Sequence, residues 1–326
     1  MRRDRPGAAR SRGPAAGLAT AGLLVVAANR VLGTTHHRGL VGLQAVTRWA
    51  LLPAHVLLPL AAIRGQPRVA VAAAGLAGYQ LGLTRSARGR VEPDPAPPTG
   101  VAVSLVSANL LLTNPRVVDA GRRLLEDPVD VLALQELTPE HLAALEGAGL
   151  LDRFPYAVTA PEPGYHGAGL FSRWPLAEAA VVDLEGVPFP AATVLTPGGR
   201  LRVVVVHAKN PGAAGQLPRW RRQLAALAEL VSRSRDPTVL VGDYNATGDH
   251  RDLRRLVSVG LRDAWDVAGR GAGATWPVWA GPVPPLLRLD HALVGPGVAV
   301  RSAVVRDSPG SDHRHLRVEL HVGPSS

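Results

Sequence analysis

Polar side chains recur at one kind of place in this sequence, which is the carboxyl end of a short apolar run. They are Asn109, Glu136, His207, Asp243 and Asn245, while Asp290 lies within the apolar run LLRLDHALV and the pair Asp312 and His313 precedes the last apolar run. The carboxyl ends of parallel strands meet on one rim of a sheet, where layered folds bind their ligands. We therefore expect these side chains to converge on a single site.

The residue types in this set are those of metal-assisted hydrolysis of a phosphate ester. Glu136 and Asp312 supply carboxylate oxygens, which suit a hard divalent cation. The chain has no cysteine, so Mg²⁺, with Mn²⁺ as the alternative, is favoured over a structural zinc site. Asn109, Asn245 and His207 would supply hydrogen bonds or charge to a developing oxyanion.

A histidine near the carboxyl terminus is the candidate base. The neutral imidazole of His313 can take a proton from water near pH 7, and the Asp290 carboxylate is suited to hold its tautomer. Residues of these types also have structural explanations. The sequence GDYN at 242–245 is typical of a turn, Glu136 can cap a following helix, and His207 can be a buried histidine bonded to a carbonyl. The joint occurrence of all of them at strand ends favours a site.

Short β-branched runs alternate with helical stretches in the part of the chain that carries these residues. Strands are predicted at Val101–Ala108, Val129–Gln135, Ala168–Ser172, Leu201–His207, Thr238–Gly242, Leu289–Val294 and His315–His321. Helices are predicted at Arg116–Glu126, Pro139–Ala148 and Ala214–Arg233. This alternation predicts a layered α/β or α+β sandwich.

Three apolar runs precede residue 90, at Ala15–Ala28, Leu40–Ile63 and Val69–Leu83. They predict a helical membrane anchor over residues 1–90 with two to three spans, three being favoured. A cleaved signal peptide and a soluble helical hairpin are the alternatives. With three spans, the arginine asymmetry places the carboxyl-terminal domain outside the cytoplasm, and with two spans it places it inside. The proline-rich residues 91–100 predict a stiff linker before a domain at 101–326.

The net charge of +10 suggests a polyanionic partner until it is divided along the chain. Residues 1–99 hold 13 Arg and three carboxylates, and residues 100–326 hold 23 basic and 23 acidic side chains. The second domain is therefore neutral, which does not favour a nucleic acid as its partner. Two features leave that alternative open: the arginines at 219, 221 and 222, which could line a groove, and Trp276 and Trp279, which could stack bases.

Seven motifs, in this order, resemble those of the endonuclease/exonuclease/phosphatase superfamily. They are SAN at 107–109, LQE at 134–136, HGAGLFSR at 166–173, VVVVH at 203–207, GDYNA at 242–246, LDHAL at 289–293 and SDH at 311–313. With the apolar runs that precede them, the chain resembles a bacterial member that has an amino-terminal membrane-spanning region. One difference is His315, where members of the family often have proline.

This resemblance implies an α+β fold, a four-layer α/β/β/α sandwich of two mixed β-sheets flanked by helices, preceded by the helical membrane region. It also implies a Mg²⁺-dependent phosphoesterase. The metal-binding residues implied by motif position are Glu136, Asn109 and Asp312. Asp243 would orient the attacking water, Asn245 and His207 would hold the phosphoryl oxygens, and Asp290 would pair with His313. His313 would act as the general acid–base or phosphate-stabilising group. The glycines of HGAGLFSR would permit close packing next to the site.

We therefore expect a multi-pass protein of the cell membrane whose catalytic domain hydrolyses a phosphate ester, as a phosphodiesterase or phosphatase, outside the cytoplasm. Its expected partners are the phosphate-ester substrate and the lipid bilayer. A membrane-anchored endo- or exonuclease acting on DNA or RNA is the second hypothesis. A catalytically inactive binding module is the third, and the intact set of candidate residues argues against it.

Overall fold

Two six-stranded β-sheets lie face to face in the part of the chain that follows residue 100. The computed structural model describes residues 14–33, 36–89, 93–95, 100–278 and 282–323. Helices pack on the outer faces of both sheets through apolar clusters. The architecture is therefore the α+β four-layer α/β/β/α sandwich that the motifs predicted.

The strands are short and are joined by turns and helices. In chain order they are β1 (Val101–Asn109), β2 (Val131–Gln135), β3 (Tyr156–Ala160), β4 (Ala168–Ser172), β5 (Leu176–Asp183), β6 (Pro188–Thr196), β7 (Gly199–His207), β8 (Thr238–Asp243), β9 (Arg262–Asp263), β10 (Asp290–Val294), β11 (Val298–Asp307) and β12 (Arg314–Val322). One sheet has the order β11-β12-β1-β2-β4-β3, and the other has the order β5-β6-β7-β8-β10-β9. Both sheets are mixed, because β1 and β2 are parallel, β7 and β8 are parallel, and their other neighbours are antiparallel.

The helices begin at residue 14 and include five that precede the sandwich. In chain order they are α1 (Pro14–Leu32), α2 (Arg38–Ala45), α3 (Thr47–Ala50), α4 (Ala54–Ile63), α5 (Pro67–Ser86), α6 (Val117–Leu124), α7 (Pro139–Gly147), α8 (Leu217–Arg233), α9 (Arg251–Val257) and α10 (Ala264–Ala268). The three helices predicted within the sandwich are present as α6, α7 and α8, each slightly shorter than predicted.

The central strands carry side chains that alternate between the two faces of each sheet. Val103 and Leu105 of β1 and Val203 and Val205 of β7 belong to one fully buried cluster between the sheets. The residues between them point outward, and Val204 packs in the cluster that includes Trp220 of α8. At roughly 25 cal/mol per Å² of apolar surface removed from water, this double-sided burial is the main stabilising contribution to the sandwich.

Every strand predicted from an apolar run is present, and β3, β5, β6, β9 and β11 were missed. Four of these five are the edge strands of the two sheets. An edge strand has one unpaired side and less burial, and β5 is mostly exposed or half-buried. Its sequence therefore lacks the continuous apolar pattern that identifies a central strand. The remaining missed strand, β6, contains two prolines, which argue against a strand.

The helices before the sandwich fit a membrane anchor only in part. Within the described residues, α1 is the single helix that is long and apolar enough to cross a membrane by itself. The second apolar run forms α2, α3 and α4, and the pair Arg38–Ala45 and Thr47–Ile63 is bent by 76°. The third run forms α5, which does not meet the same criterion. The three-span anchor is therefore not supported, and the orientation that depends on the number of spans stays a prediction.

The amino-terminal helices are bound to the sandwich by charge and by packing. Asp249, whose side chain is 2% exposed, accepts hydrogen bonds from Arg30 Nε at 2.8 Å and from Arg48 Nε at 3.0 Å. Val41 of α2 is buried in the cluster that contains Trp220 of α8. The arginines of α9 complete the contact, since Arg254 donates to the Arg30 carbonyl at the end of α1.

The predicted linker lies mostly outside the described residues. Where it is described, at 93–95, Asp94 exchanges two hydrogen bonds of 2.9 Å with the backbone of Val300 in β11. Its carboxylate also pairs with Arg262 at 2.8 Å, which holds the pKa of Asp94 below its usual value against the opposing effect of burial. The division of the chain at 91–100 stays a prediction.

Replacing Asp249 with Ala should lower the free energy of unfolding by about 3 kcal/mol, because it leaves two arginines facing a buried site without a counter-charge. Thermal unfolding of the full chain in detergent, followed by circular dichroism, measures the loss. Asp119→Ala is the matched control, since Asp119 pairs with arginines on the solvent-exposed surface of α6, where such pairs contribute about 0.5 kcal/mol. Equal effects of the two substitutions would show that Asp249 does not connect the helices to the sandwich.

Candidate active site

A cleft of about 610 Å³ opens at the carboxyl ends of the central strands. Six of the eight predicted site residues line it, namely Glu136, His207, Asp243, Asn245, Asp312 and His313. Asn109 and Asp290 lie directly behind the lining, and each is hydrogen-bonded to a lining residue. The structure therefore brings together all eight residues that the sequence singled out.

Strand register accounts for this convergence. In the parallel pair of β7 and β8, His207 lies opposite Asp243. In the antiparallel pair of β8 and β10, Asp290 also lies opposite Asp243. In the other sheet, β1 and β2 end together with Asn109 opposite Gln135, one residue before Glu136. The two sheets thus bring their polar ends to the same side of the sandwich.

Glu136 is held at the junction between β2 and α7 in a left-handed backbone conformation, with φ of 55°. Its Oε1 accepts from Asn109 Nδ2 at 3.0 Å, and its Oε2 accepts from the backbone N–H of Leu112 at 2.6 Å. Burial raises the pKa of Glu136, and these two hydrogen bonds act in the opposite direction. A positive φ is uncommon outside glycine, so the surrounding contacts must hold this carboxylate in place.

The donor set of the cleft fits a hard divalent cation. Glu136 and Asp312 both line the cleft, and Asp312 Oδ2 already accepts from Trp276 Nε1 at 3.0 Å. Among the residues that the structure describes, no group of three His, Asp or Glu side chains is placed to enclose a metal. Mg²⁺ commonly binds through one or two carboxylates and keeps several waters, so this set suits it.

Asn109 is hydrogen-bonded to Glu136 and Asp243. Its amide nitrogen donates to Glu136 and, at 3.3 Å, to Asp243 Oδ2. Its amide oxygen accepts the backbone N–H of Leu111 at 3.0 Å and keeps a second lone pair. Asn109 therefore positions the two carboxylates, and its role as a metal ligand stays a prediction.

A buried ion pair lies at the floor of the cleft. His313 Nδ1 is 2.8 Å from Asp290 Oδ2, and His313 Nε2 is 3.8 Å from Asp243 Oδ2. Burial alone would lower the pKa of His313, but the carboxylates of Asp290 and Asp243 raise it to about 10. Burial raises the pKa of Asp243, and the charge of His313 opposes this. Ser311 fixes the ring by accepting the backbone N–H of His313 at 3.0 Å.

His207 and Asn245 flank Asp243. His207 Nε2 is 3.9 Å from Asp243 Oδ2, and burial lowers the pKa of His207 to about 3, so its ring is neutral at pH 7. Among the described residues, its Nδ1 has no hydrogen-bond partner. Asn245 adopts φ of 48°, and its backbone N–H donates to Asp243 Oδ1 at 2.8 Å. Asparagine tolerates this conformation better than most residues, which suits the turn after β8.

Two glycines allow backbones to approach one another next to the site. A Cβ atom on Gly242 would lie 1.9 Å from the carbonyl oxygen of Val206, and one on Gly167 would lie 2.1 Å from the carbonyl oxygen of Leu137. Both distances exclude any side chain. The packing role predicted for the glycines of HGAGLFSR is therefore confirmed at Gly167, beside the Glu136 turn.

The sequence of residues 106–313 matches the model of the Endonuclease/Exonuclease/phosphatase family. The chain belongs to this family. The family name denotes hydrolysis of phosphate esters, in agreement with the chemistry of the cleft. No curated protein sequence matches the chain.

Several solved structures share the fold at low sequence identity. An endonuclease/exonuclease/phosphatase family protein from Bacteroides thetaiotaomicron has a TM-score of 0.57 at 16% identity, over 68% of this chain and 98% of its own. TDP2 from D. rerio, complexed with single strand DNA product, has 0.56 at 17% identity, over 67% and 98%. The 3′ phosphatase NExo from Neisseria, bound to product DNA hairpin, has 0.54 at 24% identity, over 66% and 98%.

Several residues of this family member line the cleft without having been assigned to it from sequence, and three of them are grouped beside His207. They are Tyr165, His166 and Lys209. Lys209 Nζ lies 3.3 Å from His166 Nε2, and the His166 ring centroid lies 5.9 Å from that of His207. One signal could have found Lys209: it is the only lysine among 36 basic residues, and it follows His207 by two positions. It brings a positive charge to a cleft otherwise rich in carboxylates.

The arginines at 219, 221 and 222 do not form a free basic groove. Arg222 and Arg219 pair with Glu185 at 2.7 and 3.8 Å, and Arg221 pairs with Asp252 at 3.5 Å. Of the two tryptophans considered for base stacking, Trp276 lines the cleft and Trp279 lies outside the described residues.

In metal-free protein, the imidazole of His313 should stay protonated until the pH approaches 10, as read by ¹⁵N chemical shifts of labelled histidines. Asp290→Asn should lower this pKa by about one unit or more, because it removes the nearer carboxylate. The ion pair stabilises the folded chain fully below about pH 6.5, and this contribution is lost as the pH rises towards 10. Asp307→Asn, on the exposed end of β11, is the control. Titration of His313 near pH 6.5 in the unmodified chain would contradict the assignment.

Proposed function

We propose that this family member is a Mg²⁺-dependent phosphodiesterase or phosphatase, with Mn²⁺ as the alternative ion. The proposal depends on one observation, that the Asp290–His313 pair, Asp243 and Glu136 meet in a single cleft. These are the residue types needed to activate a water, neutralise a phosphoryl group and hold a cation. The neutral net charge of residues 100–326 does not favour a nucleic acid as the substrate.

In the proposed mechanism, the space around Asp243 receives the reacting oxygens. Its Oδ2 lies 3.8 Å from His313 Nε2 and 3.9 Å from His207 Nε2, which exceeds direct hydrogen-bond distance, so an oxygen atom in the cleft beside these pairs can contact both members of a pair. Asp243 orients the attacking water and takes its proton as the new P–O bond forms and the bond to the leaving oxygen breaks. Protonated His313, held by Asp290, stabilises the negative charge that develops on the phosphoryl oxygens and donates its Nε2 proton to the leaving oxygen.

Glu136 and Asp312 would hold the cation with help from Asn109, which also positions Glu136 through its amide nitrogen. When bound, the cation supplies Lewis-acid polarisation of the phosphoryl group. Asn245 and neutral His207 contact the phosphoryl oxygens beside Asp243. The buried cleft strengthens each of these interactions, because the surrounding protein has a lower effective dielectric than water.

A nuclease is the second candidate, because the structural neighbours TDP2 and NExo are described with DNA products. The charge distribution argues against it here. A protein that neutralises several phosphates needs unpaired cations along its groove, and the arginine run on α8 is paired with carboxylates. A binding module without activity is less well supported, since all eight candidate residues are in place.

Asp243→Asn and His313→Ala should each lower kcat for bis-p-nitrophenyl phosphate by about 10²–10⁴-fold, because each removes a group that acts on the reacting oxygens. Chelator should abolish turnover and Mg²⁺ should restore it. Asp307→Asn is the control, and circular dichroism checks folding. Normal rates in both variants would refute their assignment. Plasmid DNA and phospholipids are assayed in parallel, and preferential nicking of plasmid would favour the nuclease.

We further propose that α1 anchors the protein in the cell membrane with the catalytic part outside the cytoplasm. Five arginines precede α1 within the first 12 residues, which favours a cytoplasmic amino terminus. Only 11% of its apolar window is buried against the rest of the protein, so the helix is available to lipid.

The absence of cysteine allows a sharp test of this orientation. In intact cells, a membrane-impermeant maleimide should label Ser232→Cys, on the exposed end of α8, and should spare Ser11→Cys in the amino-terminal tail. After permeabilisation, both variants should be labelled. The reverse pattern in intact cells would place the catalytic part in the cytoplasm.

A further inference from the structure

An apolar groove of about 480 Å³ lies beside the catalytic cleft, between the amino-terminal helices and the sandwich. Trp49, Leu52 and Leu81 line it from the helices, and Leu286 and Leu287 line it from the segment before β10. Trp49 Nε1 donates to the carbonyl oxygen of Leu286 at 3.2 Å, which joins the two walls. Its size is within the range of pockets that bind small molecules.

The groove adjoins the cleft, since Ala45 of α2 and Leu287 line both. A molecule that spans these two residues would place a phosphoryl group among the polar residues of the cleft and an attached chain among the leucines of the groove. The adjacency of a polar cleft and an apolar groove is the observation that points to such a ligand.

Most polar side chains of the groove have partners within the protein, and Arg88, which also lines it, is exposed to solvent. Arg48 pairs with Asp249, and Arg288 pairs with Asp263 and Asp266. His55 is hydrogen-bonded to Gln80 at 3.0 Å. With these groups satisfied, the space between them offers mainly apolar surface, which favours a hydrocarbon chain over a sugar or a base.

The helices that form the groove also carry most of the large apolar side chains that the described chain exposes. Examples are Val56, Ile63 and Val71, each more than 60% exposed. A concentration of exposed apolar side chains on a few helices is typical of a membrane-contacting face. The groove therefore opens beside the surface from which a lipid would arrive.

We propose that the substrate is an amphiphilic phosphate ester of the membrane, whose apolar chain occupies this groove while its phosphoryl group enters the cleft. The inference rests on the proposed phosphoesterase function and specifies its substrate class. Burial of each additional methylene contributes to binding until the groove is filled. The amino-terminal helices then serve both to anchor the enzyme and to select its substrate.

The test uses the full chain in detergent micelles with p-nitrophenyl alkyl phosphates from ethyl to dodecyl. We expect kcat/KM to rise at least about tenfold along this series. Leu52→Gln and Leu81→Gln should remove most of this rise and leave turnover of the ethyl ester unchanged. Leu60→Gln and Val71→Gln are matched controls on α4 and α5, which expose apolar side chains but do not line the groove. They should keep the chain-length dependence, because partitioning into micelles affects all four variants alike.

The outcomes separate this inference from the function on which it rests. Turnover of every ester at the same rate in the unmodified chain would overturn the lipid substrate and leave the phosphoesterase intact. An equal loss in groove and control variants would also overturn it, since micelle partitioning would then explain the rise. No metal-dependent turnover of any ester would overturn the proposed function itself.

Discussion

The register of β8 between its two neighbours is the constraint on which the site depends. Asp243 lies opposite His207 on one side and opposite Asp290 on the other. Because side chains alternate along a strand, a slip of one residue in either pairing would turn one of these groups to the other face of the sheet. Gly242 makes the tight pairing with β7 possible, since any side chain there would collide with the Val206 carbonyl. Backbone geometry thus fixes the distances between charged groups before any ligand arrives.

The same arrangement buries several carboxylates together with a protonated histidine. Asp290, Asp243 and Glu136 bring three carboxylates close together, and His313 is the nearest positive group. Such a cluster is costly to bury without partners. Hydrogen bonds donated by Asn109 and by the backbone N–H groups of Leu112 and Asn245 reduce that cost at Glu136 and Asp243, whereas Asp290 Oδ1 has no hydrogen-bond partner among the described residues. A cation would reduce it further, which gives the family's chemistry and the stability of its cleft a common physical basis.

Sequence patterns predicted every central strand except β6, and they predicted the residues that meet in the cleft, because both leave local signals. Buried strands read as apolar runs, and the polar residues stand directly at their ends. Edge strands such as β5 and β11 leave no such signal, since one side faces solvent. His166 was interpreted only as part of a glycine-rich packing motif, and its position opposite His207 depends on how the two sheets face each other. The sequence of either segment alone therefore does not predict the contact between His166 and His207.

The arginines of the amino-terminal third show a second limit on what the sequence alone can predict. Their excess over carboxylates was interpreted as information about topology, yet Arg30 and Arg48 both reach Asp249 in the sandwich, about 200 residues later in the chain. The net charge of a segment includes each charged residue but does not indicate which residue it pairs with. A buried carboxylate with two arginines becomes visible only when the fold brings the segments together.

The burial of Val41 in the cluster around Trp220 has a practical consequence. Gly42 and Ala45, on the same helix, line the catalytic cleft. A shortened chain beginning at residue 100 would therefore lose a core side chain, one wall of the cleft and both counter-charges of Asp249. Kinetic constants measured on this shortened chain would not represent the full chain, because one side of the cleft would be open to water. The amino-terminal helices are therefore part of the cleft, and grafting the sandwich onto other helices would not recreate it.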